Sequence, residues 1–152
     1  TDYTIDSVKA LASRVHDIND VGASIASGSF RHDGMLIAPC SIKTLSAVAN
    51  CFATNLMIRA ADVTLKERRK LVLMLRETPL HPGHLRLMVQ AAEAGAVLAP
   101  PMPAFYHRPQ SIGDIVDQSV NRALDQFELG ISLDLFPRWT GEEEKLKARS
   151  RS

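Results

Sequence analysis

The sequence is poor in cysteine, in net charge and in long apolar runs, and each shortage closes off a class of protein. The only cysteines are Cys40 and Cys51. Both sit in apolar stretches, so the expectation is two small buried thiols in a reducing compartment rather than a disulfide scaffold. Cys40 stands at a helix start, where a thiol pKa can fall, but the plainer reading is a packing residue. The net charge is +1. No general field favours nucleic acid, and any anion site must be built locally. No apolar run approaches the ~18 residues that span a bilayer, and no charged-then-apolar leader opens the chain. The expectation is therefore a cytoplasmic protein with no membrane and no nucleic-acid partner. Also missing are a G-x-G-x-x-G turn, a Walker loop, internal repeats, and any Ser-His-Asp or Cys-His arrangement.

What is present is ordinary for a globular chain. Of the 152 residues, 45% are hydrophobic and 23% charged, enough for one domain with a real core. Residues 5–18 carry apolar positions Ile5, Val8, Leu11, Ala12, Val15 and Ile18 at helical spacing, with Thr4 or Asp6 as cap. Residues 21–29 are rich in glycine and serine. Residues 35–38 form a short apolar run closed by Pro39, which reads as a strand buried on both faces. Residues 41–69 read as two helices broken near Thr54 and Asn55. A second buried strand is expected at residues 71–75, then a loop at 79–82 and a helix over 84–94 stopped by Gly95. Residues 96–98 give a third strand, followed by a proline-rich loop. Ser111, with Asp114 three residues on, opens a last helix to about Phe127. Strands alternating with helices imply a parallel sheet with helices on both faces.

In open parallel sheets, ligands sit beyond the carboxyl ends of the strands. Four segments are expected there. Ser41, Ile42, Lys43 and Thr44 run from strand into helix, and their N–H groups and hydroxyls suit a phosphate or a flavin edge; the plainer reading is an N-cap. Arg76 and Glu77 follow the second strand and suit anion binding beside acid/base work; the plainer reading is a surface ion pair. Phe105, Tyr106, His107 and Arg108 follow the third strand on a proline-stiffened loop, or merely pin that loop to the core. The fourth is the basic stretch Lys66 to Lys70. Its charges suit solvent and the helix dipole, but Asp62 stands between Lys66 and Arg59 at helical spacing. His81 and His84 are three apart, with no carboxylate or cysteine at a matching distance, so metal is not expected.

Five segments in this order resemble the UbiX-type flavin prenyltransferases: Pro39-Cys40-Ser41-Ile42-Lys43-Thr44-Leu45-Ser46, Arg59-Ala60-Ala61-Asp62-Val63-Thr64-Leu65-Lys66-Glu67-Arg68-Arg69, Arg76-Glu77-Thr78-Pro79-Leu80-His81, His84-Leu85-Arg86-Leu87-Met88 and Pro103-Ala104-Phe105-Tyr106-His107-Arg108-Pro109-Gln110. The likeness runs from about Thr1 to Asp125, and residues 135–139 look like the subgroup that accompanies aromatic-acid decarboxylases. The resemblance implies a three-layer, flavodoxin-like α/β fold over residues 1–128 with a tail at 129–152, assembled as a dodecamer with flavin at subunit contacts. It implies transfer of a dimethylallyl group from dimethylallyl monophosphate to reduced FMN, at N5 and then C6. The prenylated FMN would serve a UbiD-type decarboxylase, with no metal. By position, Ser41, Ile42, Lys43, Thr44 and Arg76 match flavin contacts. Tyr106 and Arg122 match residues holding the prenyl phosphate, with Arg59 and Lys66 nearby and supplied partly across subunits. Glu77 matches a carboxylate beside the reacting centre, and Trp139 an aromatic wall of the prenyl pocket. The family's first strand and Gly-Ala-Ser-Gly-type loop have no counterpart here, so the expectation is a chain lacking its first βα unit and part of its flavin site. Two other readings stand beside this one: a flavoprotein that oxidatively decarboxylates a peptide cysteine, and a non-catalytic assembly subunit.

Overall fold

The computed structural model describes residues 2–130 and 134–138. Three parallel strands form the sheet, β1 (Met35–Cys40), β2 (Leu71–Leu75) and β3 (Val97–Leu98), in the spatial order β1-β2-β3. Between β1 and β2 run α2 (Ile42–Ala49) and α3 (Leu56–Lys66), between β2 and β3 runs α4 (Pro82–Glu93), and α5 (Ile112–Leu124) follows β3. A short α1 (Ile5–Lys9) precedes them all. This is a parallel sheet layered with helices, in the flavodoxin-like manner. Among the described residues no helix is long and apolar enough to cross a membrane.

The centre of the core is β2. Side chains alternate between sheet faces, so Leu71, Leu73 and Leu75 share one face, where they pack with Leu45, Val48 and Ala49 of α2, Ile58 and Ala61 of α3, and Ala91 of α4. Val72, on the opposite face, is also fully buried. A central strand covered on both sides cannot alternate polar and apolar residues, which explains its unbroken apolar run. The helix starts follow local chemistry. The hydroxyls of Ser41 and Ser111 accept from the backbone N–H groups of Thr44 and Asp114, and the Asn55 side chain accepts from Ile58. Ser111 with Asp114 is a full capping box, as expected. His81 caps α4 through its ring, so the helix starts two residues earlier than the sequence suggests, and Pro82 fills the first turn. Gly95 follows the end of α4 with a φ of 104°, the left-handed conformation that closes a helix without steric cost.

Three expectations need correction. The first helix stops at Lys9 rather than Ile18. Its apolar positions meet no surface, since Ile5, Val8, Leu11, Val15 and Ile18 are all exposed, and a helix without packing is marginal in water. The first strand is not buried on both faces: Ile37 and Cys40 point inward while Leu36, Ala38 and Pro39 are exposed. It is an edge strand with its pairing interrupted between Ile37 and Cys40, which is where a proline is tolerated. The cysteines also part company, because Cys40 is buried and Cys51 is exposed.

Candidate active site

Three segments meet at the carboxyl rim of the sheet. The backbone N–H of Arg76 donates to the Cys40 carbonyl at 3.1 Å, and that of Ala99 to the Leu73 carbonyl at 2.9 Å. These bonds draw the ends of β1, β2 and β3 together. Ser41, one residue beyond Cys40, gives the start of α2, where its hydroxyl also donates to Thr44 Oγ1 at 3.1 Å. The unpaired N–H groups of that first turn face the rim, with the positive end of the helix dipole behind them. Lys43 is exposed there.

A cavity of about 470 Å³ opens directly beside this strand end, lined by Leu75, Arg76, Glu77, Thr78, Leu80 and the loop residues Pro100, Pro101 and Met102. Within the described residues the Arg76 guanidinium has no ion-pair partner. Glu77 accepts the Thr78 N–H on one oxygen at 3.2 Å, which orients the carboxylate and leaves its other oxygen open. Behind the same proline loop lies a second cavity of about 360 Å³, between β3 and α5, which includes Arg122. Pro100, Pro101 and Met102 line both spaces. A cation and a carboxylate thus stand on one side of a rigid apolar wall and a second cation on the other. Such a surface accommodates a flat ring with an anion close by.

The aromatic loop adds to this rim. Arg108, at a φ of 57°, closes a turn by donating its N–H to the Phe105 carbonyl at 3.0 Å. Tyr106 is 54% exposed, with its ring edge-on to His107 at 5.6 Å. His107 in turn meets Phe136 at 5.6 Å. Among the described residues neither ring nitrogen of His107 has a hydrogen-bond partner, although both are buried.

Lys66 is not brought to this rim within one chain. The Thr64 hydroxyl contacts Met35 Sδ at 3.9 Å, and Met35 begins β1, so the end of α3 lies at the amino edge of the sheet. Lys66 pairs there with Glu67, whose carboxyl is held below the usual range by the hydrogen bond from Lys66. Arg69 is tied to the carbonyls of Phe30 and Gly28 at 2.6 and 2.8 Å. The expectation that residues 66–70 belong to the carboxyl rim is therefore corrected: the segment joins α3 to the start of β2 and must enter the other edge. Arg59 pairs with Asp62 at 2.9 Å, at the helical spacing the sequence suggests. Trp139 lies outside the described residues. The rings of His81 and His84 pack at 3.6 Å, and His81 Nδ1 accepts the Gly83 N–H at 3.0 Å, which is a helix cap. Among the described residues no group of three metal-ligating side chains occurs.

Sequence reasoning missed the partners of Arg122. Asp125 accepts from Arg122 Nη1 at 2.9 Å and from both terminal nitrogens of Arg138 at 3.0 and 2.8 Å. Arg138, then desolvation opposing it, then Arg122 set its pKa, and the net effect holds the carboxyl below its ordinary range. Fully buried Asn121 donates to Asp125 at 2.9 Å and accepts the Leu135 N–H at 2.7 Å. The helical spacing of Asn121, Arg122 and Asp125 was a usable signal. The contact with Arg138, thirteen residues away, left none.

A parallel sheet with a helix N-terminus, cations and a carboxylate gathered at its carboxyl rim is the arrangement of the ligand-binding open α/β folds, the flavodoxin-like ones among them. The Flavoprotein family model matches residues 4–124. The flavin prenyltransferase UbiX of Thauera aromatica is 74% identical over 99% of this chain and 77% of its own length. That of Escherichia coli K12 is 61% identical over 93% of this chain and 75% of its own. Among solved structures, AnUbiX (PadA1) in complex with FMN and dimethylallyl pyrophosphate superimposes with a TM-score of 0.88 at 55% identity, covering 93% of this chain and 74% of that one. A dodecameric FMN-dependent UbiX-like decarboxylase from Escherichia coli O157:H7 also gives 0.88, at 48% identity and coverages of 93% and 75%. The chain belongs to the flavin prenyltransferase UbiX family, whose members are transferases.

Proposed function

We propose that this chain, as part of a homo-dodecamer, joins the dimethylallyl group of dimethylallyl monophosphate to reduced FMN, at N5 and then C6. The product is prenylated FMN for a UbiD-type decarboxylase. One observation carries the reading: Arg76 with Glu77, and Arg122, flank the single wall Pro100, Pro101 and Met102. The relative AnUbiX, bound to FMN and dimethylallyl pyrophosphate, supports a flavin and a prenyl phosphate side by side. The dodecameric relative supports the assembly. Residues 1–128 form the flavoprotein-like domain and 129–152 a tail, of which residues 134–138 return to α5.

The residues divide the work. Reduced flavin supplies the nucleophilic positions. The helix start at Ser41, Ile42, Lys43 and Thr44, together with Arg76, holds the flavin. When the bond from prenyl carbon to phosphate oxygen breaks, its electron pair leaves with the phosphate. Arg122 and the Tyr106 phenol stabilise that growing charge, with Arg59 and Lys66 brought from neighbouring copies. Glu77, its outer oxygen open, carries the proton displaced on ring closure. The family resemblance assigns Trp139 to an aromatic wall of the prenyl pocket.

The test uses full-length protein with reduced FMN and dimethylallyl monophosphate, with mass spectrometry of the extracted flavin. A flavin heavier by one prenyl unit is expected. Arg122→Ala and Tyr106→Phe should each lower turnover by about a hundredfold or more, the effect of removing one charge-stabilising donor. Unmodified flavin from the parent protein, or full activity in both variants, would rule the assignment out.

A further inference from the structure

Arg122 and Arg138 reach the same carboxylate, that of Asp125. Asp125 Oδ2 accepts from Arg122 Nη1 at 2.9 Å and from Arg138 Nη1 at 3.0 Å, while Oδ1 accepts from Arg138 Nη2 at 2.8 Å and from Asn121 at 2.9 Å. Arg138 makes the two-point fork that matches a carboxylate best, and Arg122 makes a single bond to an oxygen it shares. The Arg122 side chain is 55% exposed, against 19% for Asp125. Arg138 does not reach this position by chance. The Leu135 N–H bonds to Asn121 at 2.7 Å and Phe136 is 7% exposed, so the segment before Arg138 is seated on α5 and the aromatic loop. Asp134 also pairs with Arg138, but it is 55% exposed and its charge is screened by water.

One carboxylate neutralises one guanidinium. We propose that Arg138 is the counter-cation of Asp125, and that by occupying this carboxylate it leaves the charge of Arg122 available to an anion in the cavity between β3 and α5. The proposal rests on the reading of Arg122 as a prenyl-phosphate ligand, and it makes Arg138 a positioning residue acting through Asp125. Without Arg138, Asp125 turns wholly to Arg122 and cancels its field where the phosphate binds. The consequence is unusual for an anchoring contact: removing Asp125 as well repairs the loss.

The experiment compares Arg122→Ala, Arg138→Ala, Asp125→Asn and the double variant Asp125→Asn/Arg138→Ala in full-length protein. KM for dimethylallyl monophosphate, kcat and inhibition by inorganic phosphate are measured for each. Arg138→Ala should raise KM and weaken phosphate inhibition together by about fivefold, the scale of a half-exposed ion pair, with kcat at saturation nearly unchanged. The double variant should return both towards the parent values. Arg138→Gln, which keeps the stem but not the charge, repeats the test if truncation unfolds the segment. A double variant as impaired as Arg138→Ala would reduce Arg138 to an anchor and overturn the proposal. So would an unchanged KM in Arg138→Ala and Arg138→Gln while Arg122→Ala raises it, which leaves the phosphate-site reading standing. A silent Arg122→Ala would sink both.

Discussion

Burial decides the chemistry of Cys40. Loss of solvent pushes its thiol up to about 11 from 9.0, against a smaller opposing hydrogen bond from the Leu45 backbone. The unfolded thiol releases its proton near 9 and the folded one near 11, so between these values the folded state holds the extra proton. The contribution to stability is complete below pH 9 and is lost as pH rises towards 11, by up to about 2 kcal/mol. Denaturant unfolding of parent and Cys40→Ala, below pH 9 and near pH 11, should show the parent losing more stability on the way up. Equal losses would mean that the thiol ionises in place without cost. The sequence already held the packing reading of Cys40, along with the caps at Thr4, Ser41 and Ser111, because these depend on neighbours a few residues away. It held no sign of the Arg138–Asp125 fork, and it misplaced Cys51 inside, because those depend on where distant segments come to rest.

Among the elements, α5 carries the greatest burden. It lines the cavity that includes Arg122, and through Asn121 it receives residues 134–138. Asn121 is fully buried with both ends of its amide bonded. Asn121→Ala leaves the Leu135 N–H without its acceptor and opens a gap beneath it, and should cost about 1–3 kcal/mol. Residues 134–138 should then detach. Thermal melting checks the first effect and faster proteolysis beyond residue 130 the second; an unchanged cleavage rate would show that Phe136 alone holds the segment. The strands and α2 to α5 were legible because their apolar periods coincide with surfaces the chain itself buries. The first helix misled for the opposite reason. Its period is genuine, but Ile5 and Leu11 are 74% and 83% exposed, and periodicity records a face without saying what covers it.

At the scale of the whole molecule, one chain does not gather every residue assigned to the proposed site. Arg76 and Glu77 stand at the carboxyl edge of β2, while Lys66, next to Glu67, lies near Met35 at the amino edge. The strand between them, Leu71–Leu75, spans roughly 17 Å at ~3.3 Å per residue, well beyond the reach of a lysine. If Lys66 serves a phosphate, it serves one held by a neighbouring copy, and the site exists only in the assembly. Complementation decides this. Lys66→Ala and Arg122→Ala should each be nearly inactive when made alone. Co-expressed in equal amounts, they should recover about a quarter of parental activity, because random mixing pairs an intact Arg122 with a neighbour's intact Lys66 in about one site in four. Both residues acting from the same chain would give no recovery at all, since no protomer in the mixture carries both. A mixture as inactive as its components would therefore overturn the assignment of Lys66 to a phosphate held by a neighbouring copy.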